Sequence, residues 1–271
     1  MKEVKTVPSL SALFENLLFK SGEQSFSKER VITVIGSGGK TSLIWRLASG
    51  LAGCAAALLA PGRKVLVTPT TKMFVPPPET KVYKRYYGLG GPVPAPEPGV
   101  TLAGVFNEAS GKLESFQLDK LENIIKGYDL VLIEGDGSKG LPYKAWKEDE
   151  PVVPSFTDLT IGVLPIKGLG EQVSEKTVHR LPLFTELTGA SLGGMIKTEH
   201  LRRLITGTGE DSLSGLFAKA HGKKLLFFNQ AEGEASLKQA SELADSLPQS
   251  FRKSLCGIIA GSVKEDRVIE L

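Results

Sequence analysis

One segment constrains this chain more than any other. Val31-Ile32-Thr33-Val34-Ile35 is an apolar, β-branched run that stops at Gly36-Ser37-Gly38-Gly39-Lys40-Thr41-Ser42, after which Leu43, Leu47 and Leu51 recur at helical spacing. A run without a polar face fits a strand buried on both sides of a parallel sheet. A strand feeding a glycine turn that opens a helix points amides and a helix N-terminus at one spot, where they favour an anion. Glycine lets the backbone take positive φ and approach a ligand closely. Lys40 adds a charge that can reach β- and γ-phosphates, and Thr41 a hydroxyl where Mg²⁺ would sit. Gly36, Ser37, Gly38, Gly39, Lys40, Thr41 and Ser42 are thus candidate binding residues for ATP or GTP with Mg²⁺. The bland alternative is a glycine-rich turn with a surface lysine.

The loop departs from G-x-x-x-x-G-K-[ST], which would need glycine where Val34 stands. Its short Gly-x-Gly-Gly-Lys-Thr form resembles the Gly-Thr-Asn-Gly-Lys-Thr loop of the Mur ligase superfamily more than that of an ordinary GTPase.

Leu132-Ile133-Glu134-Gly135-Asp136-Gly137-Ser138-Lys139 places two carboxylates at the end of another apolar run. Ligands of open α/β sheets bind at that edge. Glu134 and Asp136 are two apart, so an extended chain puts them on one face, where with Thr41 they can hold Mg²⁺. Gly137, Ser138, Lys139 and Lys144 are candidate contacts to phosphate or an acidic substrate. Thr71 and Lys72, after the run Lys64–Thr68, would face the same edge, or simply start a helix. His179-Arg180 can clamp a phosphate or relay a proton, although a lone histidine is more often structural. His200 and His221 read as surface or capping residues on helices. Asn229-Gln230-Ala231-Glu232 follows the run Lys224–Phe228 and is similar to the Asn-Lys-x-Asp motif with which GTPases read guanine. A strand-to-helix turn capped by Asn229 explains it equally well, so the base stays unassigned.

Apolar runs alternate with amphipathic segments along the whole chain, which argues a doubly wound, mostly parallel α/β sheet of P-loop NTPase type. Helices are expected from Ser9, at 118–125 closed by Gly127, near 182–188, 198–206 and 211–220, and at 235–247. Further strands are expected at 129–134, 160–164 and 255–260. All 271 residues read as one domain, with an irregular insertion at about 74–116 that ends in a small β-hairpin. Seven of the 16 prolines fall within 76–98. A boundary near 150–158 is the alternative.

Composition removes several classes. A net charge of +3, from 33 basic and 30 acidic residues, lacks the basic excess of a nucleic-acid binder. The most apolar stretch, 43–60, is interrupted by Arg46 and is too short to span a membrane. The N-terminus carries Glu3 and Glu15 and no cleavable leader, so the expected location is cytoplasmic. The two cysteines, Cys54 and Cys256, sit among small and apolar neighbours and read as core residues.

Taken in order, Val34–Ser42, Val67–Met73, Ile133–Lys144, Glu150–Pro154, Val178-His179-Arg180 and Asn229-Gln230 resemble the YqeC family, accessory proteins of selenium-dependent molybdenum hydroxylases. The resemblance spans roughly residues 10–262. It implies a cytoplasmic P-loop protein that acts in selenium cofactor maturation, with a molybdenum hydroxylase or another maturation protein as partner. Gly135 replaces an alanine expected in the family's Glu-Ala-Asp-Gly-Ser pattern. Gln230 and Glu232 depart from Asn-Lys-x-Asp. The leading expectation is an NTP-dependent, Mg²⁺-dependent maturation factor, with Lys40, Glu134, Asp136, His179 and Arg180 doing the chemistry. The alternative is a Mur-like ligase or a kinase acting on a small acid.

Overall fold

The computed structural model describes residues 6–7, 9–20, 30–53, 62–76, 83–87, 93, 95–208 and 214–271. In chain order the strands are β1 (Thr6–Val7), β2 (Val31–Gly36), β3 (Lys64–Pro69), β4 (Lys72–Phe74), β5 (Tyr83–Tyr87), β6 (Gly99–Asn107), β7 (Lys112–Glu114), β8 (Leu130–Glu134), β9 (Tyr143–Lys144), β10 (Leu159–Pro165), β11 (Val178–His179), β12 (Lys223–Asn229), β13 (Gly257–Ser262) and β14 (Arg267–Glu270). The helices are α1 (Leu10–Glu15), α2 (Lys40–Gly53), α3 (Leu118–Ile124), α4 (Leu181–Thr188), α5 (Thr198–Thr206), α6 (Glu234–Ser246) and α7 (Gln249–Lys253).

The main sheet runs β1-β14-β13-β12-β10-β2-β8-β3-β6-β7-β4, with β5 also on β6. From β13 across to β6 every pairing is parallel. Among the described residues of this sheet, antiparallel pairs occur only toward the rims, at β13–β14, β14–β1, β6–β7 and β7–β4. β2 lies between β8 and β10, so the connections diverge on either side of it. In such sheets the crevice for ligands opens at the C-terminal end of that central strand.

The absence of a polar face in the central runs has its reason in two cores. Ile32 and Val34 pack with Leu43, Leu47 and Leu51 of α2 and with Leu10 and Phe14 of α1. Val31 turns to the opposite side, toward Leu121 and Ile125 at α3, and Ile35 joins Phe184, Leu204 and Leu243 from α4, α5 and α6. Helices therefore cover both faces of an α/β fold built on a large, mostly parallel sheet. The Ser9 hydroxyl caps α1 by accepting from Ala12 N at 3.0 Å, and Gly127 takes φ +92 just past α3.

Several expectations change. Residues 99–107 are not part of an irregular excursion: β6 pairs in parallel with β3 inside the main sheet and then turns into the β6–β7 hairpin. The prolines of 77–82, 88–92 and 94 lie outside the described residues. Residues 214–219 form turns rather than the end of a helix over 211–220. β8 before 150–158 and β10 after it both pair with β2, so the main sheet continues across that stretch. Cys256 is exposed rather than a core residue, and Cys54 lies outside the described residues. The edge strands β1 and β14 carried no sequence signal that we read. Among the described residues no helix is long and apolar enough to cross a membrane.

Candidate functional site

The end of β2 is held in place sterically. Gly36 has φ +101, and a Cβ there would lie 2.1 Å from the Val163 carbonyl oxygen of β10. Gly38 has φ +72 with the Pro165 ring 2.4 Å from its missing Cβ, and Gly39 has φ +121 with Asn229 Nδ2 at 2.3 Å. Only glycine satisfies both the backbone and the space at these positions. Ser37 N donates to Val163 O at 3.0 Å. Asn229 braces the loop from β12: its Nδ2 donates to Gly38 O at 2.7 Å, and its Oδ1 accepts from Val263 N at 3.1 Å. Leu43 N donates to Gly39 O at 2.9 Å as α2 begins. The amides of Lys40, Thr41 and Ser42 precede that bond and have no carbonyl of their own helix to reach.

β8 delivers both carboxylates to this loop. Thr41 Oγ1 donates to Glu134 Oε2 at 2.9 Å. Gly36 N donates to both oxygens of Asp136, at 3.2 and 3.1 Å. Lys40 Nζ donates to Gly36 O at 2.7 Å and lies 3.3 Å from Asp136 Oδ1. Asp136 is fully buried and also accepts from Lys144 Nζ at 3.0 Å and Trp146 Nε1 at 2.7 Å. Asp136 was expected to ligate a metal, and here its oxygens face protein donors. Its lone pairs are taken by an amide, two ammonium groups and an indole, which makes it the internal counter-ion of the loop lysine.

The charges continue away from the loop as a chain. Lys144, with no exposed surface, also donates to Gly137 O at 2.7 Å and to Glu150 Oε2 at 3.2 Å, so it is not open to phosphate as expected. Glu150 receives both terminal nitrogens of Arg180. The short β9–β11 pair sets His179 beside Lys144, and Arg180 follows at φ +62 ahead of α4. Arg180 is thus linked to the loop through Glu150, Lys144 and Asp136, across more than 130 residues of sequence.

Burial sets the protonation pattern. Burial opposes ionisation of Asp136, but Lys40, Lys144 and the Trp146 bond outweigh it and hold the carboxyl below the usual range. Glu134 goes the other way: burial pushes its carboxyl up by more than Lys40 and Thr41 bring it down, and Asp136 adds to the rise. Burial is again opposed at Glu150, where Arg180 and Lys144 win. Burial, Arg180, Lys139 and Lys144 all lower the pKa of His179, which favours the neutral ring.

Other expected residues separate from this cluster. Lys72 is more than half exposed and pairs with Glu114 at 2.8 Å across the antiparallel β4–β7 pair. Thr71 Oγ1 is buried without a hydrogen-bond partner among the described residues. The neighbour Thr70 does the bonding instead: its N donates to Glu134 O at 3.0 Å and its Oγ1 to Val152 O at 2.6 Å. Ser138 O accepts from Leu141 N in a turn, and Lys139 is exposed at φ +53. His200 caps α5 through Nδ1, accepting from Lys197 N at 3.2 Å, while exposed His221 lies in a loop before β12. Trp146 was missed as a site-forming residue, and Glu150 was read only as part of a resembling segment, because no spacing rule marks a buried counter-ion shell. Gly135 also has a local reason: a Cβ there would lie 2.8 Å from Ile35 Cγ2 and 2.9 Å from Thr33 Cγ2, so this chain's β2 leaves no room for alanine.

Fold and site together define an α/β protein in which a glycine loop and an acidic strand end meet at the middle of a mostly parallel sheet. The family model described as YqeC protein matches residues 32–182, which include the loop, the acidic strand end and the His179-Arg180 pair. The Escherichia coli (strain K12) protein named "Uncharacterized protein YqeC" is 34% identical over 182 residues, covering 65% of this chain and 67% of its own. The chain belongs to the YqeC family. No solved structure matches it.

Proposed function

We propose that the protein binds a nucleoside triphosphate with Mg²⁺ at Gly36–Ser42 and uses it in the maturation of selenium-dependent molybdenum hydroxylases. The observation that carries this reading is the contact of Thr41 with Glu134 beside Lys40, at the mouth of a loop whose glycines leave no space for a Cβ. The amides of Lys40, Thr41 and Ser42 suit phosphate oxygens. Lys40 spends donors on Gly36 O and Asp136, and an ammonium has three.

The donor set fits Mg²⁺. Among the described residues no group of three or more His, Cys, Asp or Glu is placed to hold a metal. Mg²⁺ bound through phosphates needs no such group, since it takes one or two protein oxygens and keeps several waters. Thr41 and Glu134 would supply those oxygens, and a cation beside Glu134 would relieve the burial of its charge. When bound, the ion would neutralise phosphate charge. Asp136 would hold Lys40 and Gly36 in register from behind.

Calorimetry of the full chain with Mg²⁺ and ATP or GTP tests the reading, with Lys40→Ala as the variant. Binding that weakens by about 2–3 kcal/mol in the variant supports it. Absence of binding to either nucleotide rejects it. Phosphate release measured alone, with a molybdenum hydroxylase, and with small acids then separates a maturation factor from a ligase or kinase.

A further inference from the structure

The turn after β12 is not used by the site above, and it borders a cavity of about 680 Å³ beside the glycine loop. Gly39 and Ser42 belong to both loop and cavity, so the cavity opens directly beside the loop amides. The cavity is also lined by Glu232, Ser262 and Lys264, at or just past the ends of β12 and β13, and by Lys167 and Arg46. Its charged lining is three cations, Arg46, Lys167 and Lys264, and one carboxylate, Glu232.

One hydrogen bond anchors the Glu232 side chain. Its Oε1 accepts from Ser262 Oγ at 3.1 Å, and Ser262 Oγ accepts in turn from Glu265 N at 3.2 Å. Gln230 takes φ +58, and Ala231 N donates to Gly261 O at 2.9 Å, which ties the turn to β13. Asn229 ties the same turn to Gly38. The turn that carries Glu232 is therefore tied to both β13 and the glycine loop.

We infer that this cavity receives the base of the nucleotide and that Glu232 selects guanine. The inference rests on the nucleotide reading of the loop. An ionised carboxylate only accepts hydrogen bonds. Guanine offers two adjacent donors, its ring N1–H and exocyclic N2–H₂, and so matches a carboxylate in bidentate fashion. Adenine turns an acceptor nitrogen toward it instead. Lys167 and Lys264 line the same cavity and can donate to the guanine keto oxygen, where adenine has an amino group. A site built to satisfy specific donors rejects the analogue that lacks them far more strongly than a hydrophobic pocket does.

The test titrates the full chain plus Mg²⁺ with GTP, ATP, xanthosine triphosphate and inorganic tripolyphosphate, for the wild type and Glu232→Gln. Tripolyphosphate has no base and reports the loop alone. The wild type should prefer GTP over ATP by at least about 10-fold, the scale of one bidentate base contact. Glutamine offers one acceptor and one donor, which fits the N1–H and C2 carbonyl of xanthine. Glu232→Gln should therefore lose about 10- to 100-fold for GTP and gain for xanthosine triphosphate. That gain is a positive readout which misfolding cannot mimic. Equal GTP and ATP affinities, or an unchanged preference in Glu232→Gln, with tripolyphosphate still bound, overturn the inference and leave the loop reading standing. Failure of tripolyphosphate and all nucleotides to bind overturns both.

Discussion

On the β8 side of the loop, Asp136 has no exposed surface, and an amide, two lysines and a tryptophan occupy its oxygens. On the β12 side, Glu232 is exposed, lines a cavity and has one bond, from a serine. The two acids stand at the ends of strands on opposite sides of β2. Burial separates their roles. A buried charge is stable only where partners surround it, and a carboxylate so surrounded has nothing left for a ligand. An exposed acid keeps its water until a better donor arrives. Glu134 falls between them: it is buried, and its pKa is raised because its partners undercompensate it.

The contrast breaks most visibly at Asp136. Asp136→Asn would leave Lys40 and Lys144 buried with a lost counter-ion, and urea unfolding should show a loss of about 3–5 kcal/mol. A loss no larger than that of a surface substitution would mean the shell is not what holds the loop. Lys40→Ala comes next, with nucleotide affinity falling by about 2–3 kcal/mol. Its melting temperature should fall less than that of Asp136→Asn, because Lys144 still neutralises Asp136.

Acid should sharpen the difference between the carboxylates. Asp136 and Glu150 have pKa values held below the ordinary range, so the stability they contribute is present above the unfolded value. It is lost as pH falls through the folded value, so melting temperature should drop steeply below about pH 4. Glu134 works with the opposite sign: its folded pKa is raised, so its contribution is full below the unfolded value and declines as pH rises through the folded one. Melting curves across pH should flatten on the acid side for Asp136→Asn. Glu134→Gln should keep the acid limb and lose the decline above it.

Arg180→Lys should lower stability by about 1 kcal/mol, since lysine cannot reproduce the two-nitrogen contact with Glu150. Rescue of the melting temperature by any neutral residue at 180 would argue against that pairing. The smallest effect belongs to Lys72→Ala. Its ion pair with Glu114 is largely exposed, and surface pairs contribute little. Neither melting temperature nor nucleotide affinity should move, and a clear loss of affinity would bring Lys72 back into the site.

Contiguous residues carried much of this molecule. The strand–glycine–helix unit at 31–51, the buried runs at 64–69, 130–134 and 159–165 and the helix at 198–206 were all legible, because periodicity and turn chemistry act over a few neighbouring residues. The approach of Thr41 to Glu134 was legible too, since both stand at strand or helix ends that a doubly wound sheet brings to one edge. The β6–β7 hairpin was legible, but the parallel pairing of β6 with β3 in the main sheet was not, because the prolines before it suggested an excursion. Helix formation at 211–220 was expected from its apolar spacing, and the turns at 214–219 pack Leu216 and Phe217 into the core without it.

What the sequence by itself determined is the kind of chain this is: buried parallel strands, a glycine loop opening a helix, and acids at a neighbouring strand end. What only the tertiary structure decided is which acid is consumed and which is open. Asp136 is filled by Lys144 and Trp146 from the following loop, Glu150 is met by Arg180 from 30 residues away, and Asn229 reaches Gly38 across 191. Those partners are set by the three-dimensional packing of strand ends, and a charge's availability depends on how many partners desolvation forces it to take.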